Sequence, residues 1–150
     1  MSKPNNQTIR EESLLTSRAI STYMTNQFAT LEGGALSPFE GRVFGYICRN
    51  QEANLTSTDL ISRFGCPKST ISETLASLVE RGYIYLESNA EDRRQKFLRL
   101  TEKGMTRFEG VLALFKQAEE KMKAELTDEE LATYLKVAEQ IRDNLGIKNE

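Results

Sequence analysis

The sequence predicts a mostly α-helical fold carrying one small β-hairpin, and three observations support that prediction. Helix start signals recur along the chain: Ser37-Pro38-Phe39-Glu40, Thr56 with Asp59, and Thr127 with Glu130 each set a hydroxyl residue three positions before an acid. Apolar residues in the segments that follow return at three- and four-residue spacing, the period of a helix with one buried face. Alternating, β-rich sequence is confined to Tyr83-Ile84-Tyr85-Leu86-Glu87 and Lys96-Phe97-Leu98-Arg99-Leu100, which read as two paired strands.

In chain order, residues 1–8 form a polar tail. Leu14, Leu15, Ala19, Ile20, Tyr23, Met24, Phe28 and Leu31 then mark a long first helix, stopped by Gly33 and Gly34. Ser37 caps a second helix, with Pro38 suited to its first position and Glu40 reaching back as a capping box, and the helix runs to about Asn50. Thr56 caps a short third helix, with Leu55 and Leu60 placed as a hydrophobic staple and Gly65 as the stop. Pro67 opens a fourth, in which Ile71, Leu75, Leu78 and Val79 share a face and Gly82 ends the run. The two strands follow, separated by Ser88-Asn89-Ala90-Glu91-Asp92-Arg93-Arg94-Gln95. Thr101 caps a fifth helix bearing Val111, Leu114, Phe115, Ala118 and Met122. Thr127 caps a sixth bearing Leu131, Leu135, Ala138, Ile141 and Leu145.

The inventory excludes much chemistry. A chain of 150 residues with 39% hydrophobic and 28% charged residues can bury a core without staples. It has no histidine, so imidazole metal sites and His-dependent catalytic triads are ruled out. No glycine-rich phosphate loop and no metal-ligand spacing is present, so neither a catalytic nor a metal site is expected, and no cofactor is implied. Two cysteines, Cys48 and Cys66, are too few for a disulfide framework, which favours a reducing, cytoplasmic setting. No apolar run approaches the roughly 20 residues of a membrane helix. Net charge is −2, but residues 55–104 hold eight Lys and Arg against seven acids, whereas residues 105–150 hold seven against ten. Arg93, Arg94 and Lys96 make a local basic knot.

Helix, tight turn, helix and basic hairpin, in that order, is the layout of a winged helix-turn-helix, whose second helix enters the major groove of DNA. With Ile71, Leu75 and Leu78 turned inward, about 100° per residue leaves Ser69, Ser72, Glu73 and Ala76 outward, flanked by Lys68 and Thr70. Hydroxyl side chains permit close approach to phosphate and base edges. Lys68 suits a phosphate or a guanine, and Glu73 suits the amino group of cytosine. Two plainer readings stand beside this one: a solvated serine-rich face, and a Thr70–Glu73 capping box that would start the helix later. Adjacency favours the DNA reading, because the basic loop falls where a wing reaches a minor groove.

Leu55-Thr56, Asp59-Leu60, Lys68-Ser69-Thr70-Ile71-Ser72, Gly82-Tyr83-Ile84, Glu91-Asp92-Arg93-Arg94 and Leu100-Thr101-Glu102-Lys103-Gly104 resemble, in order and spacing, the DNA-binding half of the MarR family of bacterial transcriptional regulators. The resemblance implies that Arg94 enters a minor groove while Asp92 orients it or bridges to the reading head. It also implies a homodimer formed by interlocking terminal helices. The expected organisation is a tail over 1–8, a dimerisation helix over 9–34, a winged helix-turn-helix over 35–104 and dimerisation helices over 105–150. Double-stranded DNA with a pseudo-palindromic operator is the expected partner. A repressor of this kind releases DNA on binding a small, often aromatic or phenolic ligand, for which Tyr23, Phe28, Phe39, Arg42 and Phe44 are the candidate pocket residues. Each of the aromatics also reads as ordinary core. Cys48 shares a face with Phe44 and reads as packing, whereas Cys66, at a helix N-terminus, is the candidate for a redox switch. The alternatives are a cysteine-based sensor and a winged-helix module that docks protein rather than DNA.

Overall fold

The computed structural model describes residues 8–147. In order these form α1 (Ile9–Phe28), α2 (Pro38–Arg49), α3 (Ser57–Phe64), α4 (Lys68–Glu80), β1 (Ile84–Ser88), β2 (Lys96–Leu100), α5 (Glu102–Lys123) and α6 (Asp128–Leu145). The fold is mostly helical with one antiparallel hairpin, as the sequence predicts. The tail expected over 1–8 lies, Thr8 apart, outside the described residues. No described helix is long and apolar enough to cross a membrane.

The chain divides after Leu114 into two compact units. The core of the first is a continuous cluster from four elements and their junctions: Val43, Phe44, Ile47 and Cys48 of α2, Leu60 of α3, Ile71, Leu75 and Leu78 of α4, Ile84 and Leu98 of the hairpin, and Leu55 and Tyr83 from the links. Burying side chains of this size contributes about 1.5–3 kcal/mol each, so the cluster fixes how the helices and hairpin meet. The start signals work as their chemistry requires. Thr8, Ser37, Thr56 and Thr127 each accept from the backbone amide three residues on, where Glu11, Glu40, Asp59 and Glu130 reach back to complete capping boxes. Thr101 caps α5 without a reciprocal side chain, accepting from the Gly104 amide at 2.9 Å while donating to the Gly82 carbonyl at 2.5 Å.

Two details differ from the sequence reading. Val79 is 40% exposed, and the inward position expected for it belongs to Thr74, which is buried with its hydroxyl donated to the Thr70 carbonyl at 2.8 Å. Counted from Ile71, Val79 lies about 80° off the inward direction and Thr74 only about 60°. A satisfied hydroxyl makes that nearer position tolerable to threonine. Secondly, β1 begins at Ile84 rather than Tyr83, because Tyr83 is turned into the core, its ring against Phe44 at 5.5 Å.

In the second unit the end of α5 precedes α6, whose first turn carries Asp128, Glu129 and Glu130 at the positive end of the helix dipole. No residue of α6 is buried; Tyr134, Leu135, Val137 and Leu145 stand exposed, as do Phe115 and Met122 of α5. In the first unit α1 likewise buries none of its residues, leaving Ile9, Leu14, Leu15 and Ile20 on the surface.

Candidate nucleic-acid interface

The turn between α3 and α4 is set by Gly65, which takes the left-handed conformation at φ 60° and donates its amide to the Ile61 carbonyl at 2.9 Å. Cys66 and Pro67 complete the turn, and α4 starts at Lys68. The Thr70–Glu73 box that would have delayed it does not form, and no side chain caps this helix. With Ile71, Thr74, Leu75 and Leu78 buried, Ser69, Ser72, Glu73 and Ala76 are exposed along one face, Lys68 is exposed at its start, and Thr70 is half-buried. The far half of α4 is tied to α2. A hydrogen bond from the Ser77 hydroxyl is the main reason the Glu40 carboxyl lies below its ordinary range, with the Ser37 cap and the Arg81 charge adding to it against partial desolvation.

The wing follows. β1 and β2 pair antiparallel from Ile84 opposite Leu100 to Ser88 opposite Lys96. The loop between them is shaped by two short carbonyl side chains. Asn89 accepts from the Glu91 amide and Asp92 from the Arg94 amide, each at 3.0 Å, while the Gln95 amide donates to the Asp92 carbonyl at 3.1 Å. Such side-chain turns replace the backbone partners that a loop lacks. Arg93, Arg94 and Lys96 are exposed around this turn, so Asp92 acts on Arg94 by fixing the backbone that carries it.

Two arginines that the sequence reading passed over hold this region together. Arg99 on β2 reaches Glu87 of β1 and Asn54 ahead of α3, at 2.8 Å each. Arg107 of α5, only 7% exposed, donates from Nη1 to the Glu32 carbonyl at 3.0 Å and lies over the Tyr83 ring at 5.6 Å. Charged residues inside an amphipathic pattern read as solvated positions, so neither arginine carried a local signal.

The candidate ligand residues are spread across the first unit. Phe44 belongs to the core. Phe39 meets Phe64 edge-to-face at 5.7 Å with the Arg42 guanidinium 5.5 Å from its ring, and Tyr23 and Phe28 are half-buried on α1. Burial pushes the Cys48 thiol up to about 12. Cys66 is half-buried against the core beside the start of α4.

An exposed second helix after a tight turn, followed by a hairpin with a basic tip, defines a winged helix-turn-helix. Residues 36–95 match the MarR family. The HTH-type transcriptional regulator PetP of Rhodobacter capsulatus is 38% identical over 55 residues, covering 37% of this chain and 33% of PetP. Among solved structures, a Clostridium acetobutylicum protein assigned provisionally to the MarR family of transcriptional regulators is 26% identical, with a TM-score of 0.72 over 91% of this chain and 99% of that one. The Staphylococcus aureus MepR–DNA complex shares the fold at a TM-score of 0.71 and 21% identity, over 91% of this chain and 97% of the other. The chain spans between 33% and 63% of the length of the curated relatives it matches.

Proposed function

We propose that the chain is a homodimeric transcriptional regulator that reads duplex DNA. In this reading Lys68, Ser69, Thr70, Ser72 and Glu73 of α4 face the major groove, and Arg93, Arg94 and Lys96 reach the adjoining minor groove and phosphates. Asp92 holds the wing turn. The observation that carries the reading is the pairing of an outward face of small polar side chains on α4 with a basic hairpin tip shaped by Asp92. The likeness to MepR, whose structure was determined with DNA, supports it at the level of the fold.

One winged helix makes few contacts, so specific affinity calls for two copies on half-sites about 34 Å apart. The apolar faces of α1 and α6, exposed in the single chain, are the surfaces assigned to dimer formation, with residues 9–34 and 105–150 as the dimerisation segments and 35–104 as the reading head. The regulator is further proposed to be a repressor released by a small aromatic ligand. Such a ligand acts only if it favours a head spacing that no longer matches the grooves. Tyr23, Phe28, Phe39 and Arg42 are assigned to its pocket, and the burial of Phe44 leaves that ring to the core.

Selection of bound duplexes from a random pool tests the reading. Recovery of an inverted repeat with half-site centres about 10 bp apart is expected. Enrichment of no duplex by reduced, ligand-free protein would replace it with the protein-docking alternative. The recovered duplex, labelled for anisotropy, then tests release by phenolic and benzoate compounds.

A further inference from the structure

We propose that Arg99 is the residue that positions the wing, holding the hairpin against the reading head so that Arg94 arrives at the groove already oriented. The proposal rests on the DNA-binding reading above. A two-stranded hairpin is marginally stable alone in water, and this one has strands of five residues each. Its attachments are therefore decisive. Leu98 is buried and donates its amide to the Leu55 carbonyl at 2.8 Å, which anchors the middle of β2. Ile84 is buried at the start of β1, and Arg99 supplies a further, polar anchor: Nε donates to Glu87 Oε2 across the hairpin, Nη2 donates to Asn54 Oδ1 outside it, and the guanidinium lies 5.2 Å from the Phe97 ring centroid. One planar group thereby joins both strands to the segment preceding α3. The fork is what the geometry demands, because a lysine ammonium cannot span both acceptors in that plane.

The charge of Arg99 is already partnered by Glu87, with the side chains 24% and 46% exposed. It therefore adds little to the positive potential that displaces counterions from DNA. That separates it from Arg93, Arg94 and Lys96, whose task needs unspent charge. Asn54 is neutral and exposed, and its assigned role is to receive this arginine.

The full-length protein, the duplex enriched by wild type, and the variants Arg99→Ala, Asn54→Ala and Arg94→Ala singly and combined form the test. Arg99→Ala and Asn54→Ala are each expected to weaken binding roughly fivefold where Arg94 is present, the size of a partly exposed charged hydrogen bond. Neither should alter the salt dependence, and both effects should shrink once Arg94 is alanine, since only Arg93 and Lys96 then remain to be positioned. A fall of about one in the salt slope on Arg99→Ala, with Asn54→Ala neutral, would make Arg99 a phosphate contact and overturn the proposal. So would effects of undiminished size in the Arg94→Ala background. Amide hydrogen exchange at Asn89 and Gln95 keeps the test separate from DNA binding. Faster exchange in both Arg99→Ala and Asn54→Ala supports the anchoring even if no duplex is enriched, and unchanged exchange refutes it.

Discussion

The Cα of Gly104 packs directly against the backbone carbonyl of Tyr83, so that a methyl group at position 104 would overlap the oxygen and crowd Leu100 Cδ1 at 2.8 Å. The first turn of α5 thus sits on the junction between α4 and β1. Alanine in place of a helical glycine ordinarily stabilises by up to about 1 kcal/mol. Here the clash is with backbone, which cannot rotate aside, and the steric term wins. Gly104→Ala is expected to lower stability by about 3 kcal/mol, measured by urea denaturation. An unchanged midpoint would show that α5 can shift away from Tyr83.

Asp92 and Arg94 separate two contributions to affinity. Arg94→Ala should weaken binding to the selected duplex and reduce the salt slope by about one, because a cation is removed from the surface proposed to meet DNA. Asp92→Ala removes an acid yet is also expected to weaken binding, since the Arg94 amide loses its acceptor and the turn loosens. Tighter binding by Asp92→Ala would mean that repulsion from DNA outweighs its hold on the turn.

Cys48 should be chemically silent in the folded protein. With its thiol near 12, only about one molecule in ten thousand carries the thiolate at pH 8, and the sulfur is buried. In a Cys66→Ser background, iodoacetamide is expected to label Cys48 at the rate of unfolding. Labelling at the rate of a free thiol would contradict the packing. The folded value is raised above the ordinary 9.0, so the neutral thiol contributes stability fully below pH 9 and loses it as pH climbs toward 12. Cys48→Ala should flatten that alkaline limb.

Glu40 works in the opposite sense. Its folded pKa is depressed, chiefly by the Ser77 hydroxyl, so its contribution is complete above the ordinary carboxylate value and disappears as pH falls through the folded one. The group is close enough to solvent that the effect stays under about 1 kcal/mol. Glu40→Gln should make stability less dependent on pH below about 4.5, seen in thermal melts across an acid series. An acid limb identical to wild type would detach Glu40 from Ser77.

What was legible in the sequence was what closes locally. The capping boxes at Ser37, Thr56 and Thr127 span three residues and declare themselves, as does the αL stop at Gly65. The face of α4 was legible except at one position, where hydrophobicity pointed to Val79 and angle selected Thr74. The wing tip was readable because Asp92 and Arg94 sit in one short loop. The anchors were not: Arg99 finds Asn54 across 45 residues and Arg107 finds Glu32 across 75, and no periodicity foretells either meeting. Nor does an apolar stripe state what covers it. The exposed faces of α1 and α6 look, in sequence, like any buried helix.

The 45-residue separation of Asn54 and Arg99 also sets an order of assembly. Helix caps and the α3–α4 turn can form while the rest of the chain is still unfolded, whereas the Arg99 bridge must await closure of a long loop, which is slow and entropically costly. The hairpin should therefore dock late on the way in and leave early on the way out. Limited proteolysis under native conditions is expected to cut first within residues 89–95, while the helices on either side still hold. The element proposed to touch DNA would then be the last part of the head to become ordered, and its docking would mark the moment at which the chain first becomes competent to bind.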